Sequence, residues 1–231
     1  MPKKIVQTQT QPPKPKLAPV QAIKVVIVVD NYIDVFLRGR FPVSRLGMKA
    51  GKPLQAEHGL SILVEVTRGG QKKTVLVDTA YSSGPLLHNL GVLGYNPQQV
   101  DRIFLSHGHP DHYGGLIGFL EQRKSPVYVA MHPDALLPRY VVTPDGDVSG
   151  PFFLDRGNIE KAGGILLLSR NEMMFCAVAM ATGEVKRPAG PEWPGAGARK
   201  IVKDGLTQDD DFLDDQALVM NLDGRGLVVI A

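Results

Sequence analysis

Apolar runs of strand length, separated by turn-forming residues, occupy much of the chain from residue 22 onwards. The run "AIKVVIVVD" is rich in β-branched residues and predicts a strand. "LSILVEVT" and "KKTVLVDT" predict a hairpin, because the "RGGQ" between them supplies two glycines for the turn. Further strands are predicted in "VDRIFLSH", in "PVYVAMHP" and in the closing hairpin "DDQALVMNLDGRGLVVIA".

Two other segments have the spacing of helices. Leu86, Leu90 and Leu93 fall on one helical face, which Ser82 or Ser83 can cap, and "YGGLIGFLEQR" predicts a second helix. "GGILLLSRNEMMFCAVAMATG" predicts two strands with a turn near Arg170–Glu172. Strands that alternate with helices are typical of a layered α/β domain in which helices cover a sheet.

Other parts of the chain lack apolar periodicity. Residues 1–20 are rich in Pro, Gln, Thr and Lys and predict a disordered or extended tail, with an interaction arm as the functional alternative. Residues 133–164 and 183–211 contain many loop-forming residues and are predicted as loops. Residues 21–231 are therefore predicted to form the folded domain, and that length can bury a substantial core.

Composition narrows the class of protein. Hydrophobic residues make up 43% and charged residues 21% of the chain, as in ordinary globular proteins. The net charge of +3 does not indicate nucleic-acid binding, but it leaves phosphate-bearing substrates open. The single cysteine, Cys176, excludes an internal disulfide and suits a cytoplasmic setting, which we predict. We expect no membrane span, because no apolar run reaches the required length.

Three of the six histidines lie in "SHGHPDH". His107 and His109 are two residues apart at the end of a predicted strand, so their side chains can converge on one ion. Asp111 and His112 follow Pro110 at the turn into the next helix, where they can face a second ion. Imidazole suits zinc, so we predict two divalent ions, with Zn²⁺ as the expected metal and iron or manganese as alternatives. Asp111 is also the candidate catalytic residue, because it can orient a nucleophile or take its proton.

These residues resemble a known signature. "SHGHPDHYGGL" is similar to the His-x-His-x-Asp-His motif of the metallo-β-lactamase superfamily, and "VLVDT" resembles the Asp-Thr-Gly element that precedes it. Ala80 stands where that element usually has glycine. The resemblance implies an α/β fold, the metallo-β-lactamase-like αββα sandwich. It also implies that Asp78 supports the metal ligands from behind.

The order of "AEHGLSILVEV", "HNLGVLG" and "ATGEVKRP" resembles one branch of that superfamily. This branch includes the 7,8-dihydropterin-6-yl-methyl-4-(β-D-ribofuranosyl)aminobenzene 5′-phosphate synthases. The resemblance implies a metal-dependent hydrolase or transferase that acts on a small phosphorylated or pterin-like substrate. Hydrolysis of a thioester, lactam or phosphodiester is the alternative, because the fold does not choose among these reactions. Nucleic acid is not an expected partner.

The branch also implies ligands that this chain does not contain. There, a strand resembling "GLVVIA" leads into a Gly-Cys-Ser-His loop that supplies a further metal ligand, and a later loop supplies the last. Because the sequence ends at Ala231, we expect a sandwich and a metal site that are incomplete at the C-terminus. A missing C-terminal half or a second chain is then the expected partner, and a truncated or split fragment with no activity alone is the alternative.

Weaker signals predict substrate contacts. Asn31 follows the first strand, and His58 lies in "AEHGLS". Glu184 and Arg187 lie in "TGEVKR", where Arg187 can bind a substrate phosphate. Local packing or an exposed loop charge is the alternative for each of them. The acidic run of residues 209–215 predicts a solvated loop, with Asp214 or Asp215 near the metals as its alternative.

Overall fold

Six strands form the central sheet of the computed structural model, which describes residues 17–46, 51–185 and 198–231. In spatial order they are β2 (Ala22–Val29), β3 (Ser61–Arg68), β4 (Gln71–Val77), β5 (Arg102–Phe104), β6 (Val127–Met131) and β9 (Gly164–Leu168). Strands β2, β3 and β4 pair antiparallel, and β4, β5, β6 and β9 pair parallel. The predicted first hairpin is confirmed, and its turn uses Gly69 and Gly70 at φ 57° and 76°, which glycine adopts without strain.

Helices cover one face of this sheet. They are α1 (Ser83–Val92), α2 (Pro110–Tyr113), α3 (Leu116–Gln122) and α4 (Arg156–Lys161), with 3₁₀ turns at Pro97–Gln99 and Pro133–Leu136. Their apolar side chains, among them Leu86, Phe119 and Ile159, are fully buried against sheet residues such as Leu76 and Ile103. In the described ranges, none of the helices has the length and apolar character needed to cross a membrane.

A second sheet packs on the opposite face. Its strands are β1 (Pro19–Val20), β10 (Met173–Cys176), β11 (Ala179–Ala181), β14 (Leu218–Leu222) and β15 (Gly226–Ile230). Buried side chains of this sheet, including Leu218 and Met220, contact Val64, Val75 and Phe104 of the central sheet. The described residues thus form helix, sheet and sheet layers, and the predicted α/β class is confirmed.

The second sheet corrects two expectations. Strand β1 lies inside the predicted tail: Val20 is fully buried and pairs with Leu222, while residues 1–16 lie outside the described residues. The two strands predicted in residues 163–183 are three, because the second divides into β10 and β11, and the turn near Arg170–Glu172 lies between β9 of the central sheet and β10 of the second sheet. That turn therefore carries the chain from one layer to the other.

A small third sheet occupies segments that were predicted as loops. It contains β7 (Arg139–Val142), β8 (Val148–Phe152), β12 (Arg199–Lys203) and β13 (Leu206–Asp209). The loop predictions are wrong here because all four strands are short and because β8 and β13 are mostly solvent-exposed, so they lack the apolar alternation that marks a half-buried strand. Asp204 and Gly205, both with positive φ, make the tight turn of the β12–β13 hairpin.

Candidate metal centre

The predicted metal ligands follow strand β5 and continue into helix α2. His107 and His109 lie in the loop after β5, whereas Asp111 and His112 belong to α2. Pro110 is the first residue of this helix, where its missing N–H would have had no helical partner. The motif therefore lies between a strand and a helix, as predicted, but β5 ends at Phe104, so His107 and His109 are loop residues and not the end of the strand.

The three imidazoles of the motif lie against each other. The ring centroids of His107 and His112 are 4.1 Å apart, and those of His107 and His109 are 4.8 Å apart with nearly perpendicular planes. The Asp111 Oδ2 atom is 3.6 Å from His112 Nε2. All four predicted ligands are thus brought together at the carboxyl end of β5.

Glycines allow helix α2 to approach closely the segment that follows strand β4. A Cβ atom on Gly114 would lie 2.0 Å from the Tyr81 carbonyl oxygen, and one on Gly115 would lie 2.2 Å from that of Thr79. In this contact the Thr79 N–H donates to the His112 carbonyl oxygen at 2.7 Å. The glycines that follow the histidine motif therefore allow Asp111 and His112 to lie beside the residues that follow β4.

Asp78, predicted to support the ligands, is buried behind His112. Its Oδ1 accepts from the Ser106 N–H at 2.8 Å, and its Oδ2 accepts from the Ser106 hydroxyl and from His112 Nδ1, each at 2.7 Å. Burial alone would lower the pKa of His112, but this hydrogen bond and the Asp78 charge outweigh it and raise the pKa. In the neutral ring the proton therefore sits on Nδ1, and Nε2 keeps its lone pair.

A second carboxylate holds His109 in the corresponding way. His109 Nε2 lies 3.0 Å from Asp210 Oδ2, which also accepts from Arg139 Nε at 2.9 Å. Burial tends to raise the pKa of Asp210, but the His109 hydrogen bond and the Arg139 charge hold it well below its usual value. Asp210 is therefore ionised, and its contact with Nε2 leaves Nδ1 as the unprotonated nitrogen of a neutral His109 ring.

His107 is enclosed by the other members of the cluster. Its Nδ1 is 3.0 Å from the Ser106 hydroxyl and 3.9 Å from Asp215 Oδ1. Burial, followed by the nearby His112 and His109, lowers the pKa of His107 to about 2. The ring is therefore neutral at physiological pH, which is the form that binds metal ions.

The histidine motif offers donor atoms of the kinds that divalent ions bind. Within residues 17–46, 51–185 and 198–231, no group of three or more His, Cys, Asp or Glu side chains is arranged so that it could hold a metal ion. His107, His109 and His112 do provide three neighbouring imidazoles, and Asp111 adds a carboxylate. In donor type these residues fit zinc and similar ions.

Comparison with known proteins identifies the family. The model of the metallo-beta-lactamase superfamily matches residues 54–172, slightly more than half of the chain, and the match includes the complete histidine motif. The chain belongs to this superfamily. A crystal structure of Tm1679, described as a metal-dependent hydrolase of the beta-lactamase superfamily, shares the fold with a TM-score of 0.59 and 23% identity. The similarity covers 91% of this chain and 65% of that one.

Two curated relatives come from Methanocaldococcus jannaschii. The 7,8-dihydropterin-6-methyl-4-(beta-D-ribofuranosyl)-aminobenzene-5'-phosphate synthase is 35% identical over 135 residues, which are 58% of this chain and 46% of that protein. An uncharacterised protein is 36% identical over 91 residues, which are 39% of this chain and 34% of that protein. The match therefore spans less than half of the length of either curated relative.

The predicted substrate contacts of this superfamily member lie in different places. His58 is beside the cluster, with Nε2 3.4 Å from Asp111 Oδ2 and a largely exposed ring. Asn31 is next to it, because its side-chain oxygen accepts from the Gly59 N–H at 2.8 Å. Glu184 instead joins another network, 3.1 Å from both His132 Nε2 and Arg170 Nη1. Arg187 lies outside the described residues.

Some residues of the site were not found from the sequence. Arg139 follows a proline in "LLPRYVV" with no motif around it, yet its side chain is buried between Asp210 and Asp214. Phe212 packs edge-on against His109, with ring centroids 4.7 Å apart. For these residues the sequence offered one signal, the acidic run of residues 209–215. Its alternative interpretation placed Asp214 or Asp215 near the metals.

Proposed function

We propose that the protein is a metal-dependent enzyme whose ligands are His107, His109, Asp111 and His112. The observation that carries this proposal is the pairing of two of these histidines with buried carboxylates. Asp78 faces Nδ1 of His112 and Asp210 faces Nε2 of His109, so each ring has its opposite nitrogen available. Carboxylates behind histidines are a recurrent feature of metal sites, where they orient the ring and raise its basicity.

The proposed cofactor is a pair of divalent ions, with Zn²⁺ favoured by the imidazole-rich donor set and iron or manganese as alternatives. Bound ions of this kind supply Lewis acidity and an activated water. The remaining steps belong to side chains of the chain itself. The Asp111 carboxylate, partly exposed, is placed to orient a nucleophile or accept its proton.

Neighbouring residues hold Asp111 in place. The Gly59 α-carbon lies so close to the Asp111 carbonyl oxygen that a Cβ there would be 2.3 Å away. Asn31 fixes Gly59 by accepting its N–H, and the Leu60 N–H donates to the Asp111 carbonyl oxygen at 3.2 Å. The exposed His58 ring lies beside the Asp111 carboxylate, with Nε2 3.4 Å from Oδ2. We propose that Asn31 and His58 shape the entrance to the site and contact the substrate there.

The proposed reaction is hydrolysis or group transfer on a small molecule that is phosphorylated or pterin-like. The similarity to the M. jannaschii synthase supports this substrate class. The mild net charge is consistent with a small anionic substrate rather than a nucleic acid. A cytoplasmic location is part of the same proposal. Thioester, lactam and phosphodiester hydrolysis are the competing reactions on this fold.

Metal analysis of the purified, folded protein tests the proposal. We expect about two divalent ions per chain in the wild type, and a clear loss in His107→Ala and His112→Ala. His88→Ala is the matched control, because His88 bonds to the Pro53 carbonyl oxygen outside the cluster. A folded wild type without bound metal, or a His107→Ala variant that binds metal as the wild type does, would contradict the assignment.

An activity assay then separates the reaction classes. The metal-loaded protein is tested with a phosphorylated pterin, a thioester, a lactam and a phosphodiester. We expect turnover of the phosphorylated or pterin-like compound, with loss in Asp111→Asn. Turnover of only one of the other three compounds would replace the proposed substrate class and leave the metal assignment intact.

A further inference from the structure

A buried ionic cluster connects the histidine loop to two distant parts of the chain. Arg139 begins strand β7, and its side chain is 3% exposed. Asp210 and Asp214 lie just after strand β13, with side chains 1% and 2% exposed. Arg139 donates from Nε to Asp210 Oδ2 at 2.9 Å and from Nη2 to Asp214 Oδ2 at 2.7 Å. We call this group the Arg139 cluster.

In each carboxylate of the Arg139 cluster, the oxygen that binds Arg139 also contacts the histidine loop. Asp210 Oδ2, already bonded to Arg139, also contacts His109 Nε2 at 3.0 Å. Asp214 Oδ2, likewise bonded to Arg139, accepts from the Gly108 N–H at 2.7 Å. Two consecutive loop residues are therefore fixed by oxygens whose own positions depend on one guanidinium.

The guanidinium is in turn fixed by the main chain. Its Nη1 donates to the carbonyl oxygens of Asp134 and Leu137, at 3.3 Å each. The planar guanidinium therefore binds backbone on one side and carboxylates on the other. A Cβ on Gly108 would lie 2.5 Å from Arg139 Nη1, so the loop rests directly on the arginine and a side chain there would displace one of them.

Stability alone is a poor explanation for such a cluster. Removing charges from water is expensive, and replacing buried ion pairs with well-packed apolar residues is often neutral or stabilising. What an apolar replacement would not provide is an acceptor at His109 Nε2. The cluster also mirrors the Asp78–His112 contact, so buried carboxylates orient two of the three histidines from separate parts of the chain.

We infer that Asp210, Asp214 and Arg139 are positioning residues of the metal centre, a conclusion that rests on the proposed metal-binding function. Asp210 keeps the ring proton of His109 on Nε2 and so directs Nδ1 towards the ion. Asp214 holds the loop backbone at Gly108, and Arg139 holds both carboxylates in place. None of the three contacts substrate in this role.

Metal affinity of the full chain tests the inference. Asp210→Asn keeps the size of the side chain, but its amide can donate to His109 Nε2 and so favour the proton on Nδ1. We expect Zn²⁺ to bind about 10- to 100-fold more weakly, as is usual when the partner behind a metal ligand is lost. Arg139→Met is expected to weaken binding similarly. Arg123→Met is the matched control, because Arg123 also donates to two carbonyl oxygens, those of Pro97 and Val100, away from the site.

The outcomes separate this inference from the proposed function. If the wild type binds Zn²⁺, His107→Ala does not, and Asp210→Asn binds as the wild type does, the positioning role is overturned and the metal site stands. If Arg123→Met weakens binding as much as Arg139→Met, the effect is a general loss of stability and the inference fails. A folded wild type that binds no Zn²⁺ overturns both.

A spectroscopic measurement needs no variant and no metal. Two-bond ¹H–¹⁵N correlation spectra of the metal-free wild type, recorded at alkaline pH, report which nitrogen of each neutral histidine carries the proton. We expect the proton on Nε2 in His109 and on Nδ1 in His112. A His109 proton on Nδ1 would overturn the inference even if the Asp210 and Arg139 variants failed to fold.

Discussion

Gly114→Ala should separate the role of the motif glycines from ordinary helix propensity. The new Cβ would lie 2.0 Å from the Tyr81 carbonyl oxygen and 2.8 Å from that of Pro110. Neither atom belongs to a flexible side chain, so helix α2 would have to move by about 1 Å to restore an ordinary contact. That movement would also stretch the 2.7 Å hydrogen bond between the Thr79 N–H and the His112 carbonyl oxygen.

The expected loss of stability follows from these two contacts. Overpacking typically costs about 1–3 kcal/mol, and a weakened buried hydrogen bond adds about 1 kcal/mol. We therefore expect Gly114→Ala to lower the free energy of unfolding by about 3 kcal/mol, or the melting temperature by about 6–12 °C. Because the movement displaces Asp111 and His112, metal affinity should fall as well.

Gly91→Ala is the matched control for this experiment. Gly91 lies in helix α1, and a Cβ there would have no neighbour within 4 Å. The same change should therefore stabilise the protein by about 0.5–1 kcal/mol through helix propensity alone. Urea unfolding of the metal-free proteins measures both values. A Gly114→Ala variant as stable as the wild type would show that the close approach of α2 to Tyr81 does not constrain the site.

Three further predictions concern the histidine cluster. Asp78→Asn should weaken Zn²⁺ binding about 10- to 100-fold, measured by competition with a chelating dye, because the His112 proton is no longer held on Nδ1; unchanged affinity would refute this role. Burial lowers the folded-state pKa of His107 from 6.5 to about 2, so protonation favours the unfolded chain. The His107 contribution to the stability of the metal-free protein should therefore be fully present above pH 6.5 and be lost by about 1.4 kcal/mol per pH unit below it, so the stability of His107→Gln should depend less steeply on pH; equal slopes would contradict the assignment. Removal of metal with a chelator should lower the unfolding free energy by about 2.7 kcal/mol relative to protein kept at a hundred times the dissociation constant, measured by calorimetry, and a thermogram that the chelator leaves unchanged would argue against a bound ion.

Local patterns were sufficient to predict the strands of the central sheet and the position of the histidine motif. Strands β3 and β4 are apolar and joined by a glycine turn, so neighbouring residues along the chain determine their pairing. The prediction that Asp78 supports the residues of the motif came from the resemblance to the superfamily and not from hydrophobic periodicity. Asp78 takes φ 54°, an uncommon value for a residue with a side chain, and no local pattern predicts it.

The third sheet and the Arg139 cluster could not be predicted for different physical reasons. Strands β8 and β13 are held by backbone hydrogen bonds with little apolar burial, so their side chains carry no alternating pattern. Arg139 looks like any surface arginine in the sequence, because its burial depends on two carboxylates more than 70 residues away. Charge partners at such separations are set by the assembled fold.

The same separation has a consequence for how the protein folds. The bond from the Gly108 N–H to Asp214 spans 106 residues, and the contact between His109 and Asp210 spans 101. Closing loops of that length costs chain entropy before the contacts can offset it, and folds rich in such contacts form slowly. The β3–β4 hairpin can form early from local contacts alone. The histidine loop, in contrast, reaches its final geometry only after the residues beyond β13 have docked, so metal capture during refolding should follow the slowest phase.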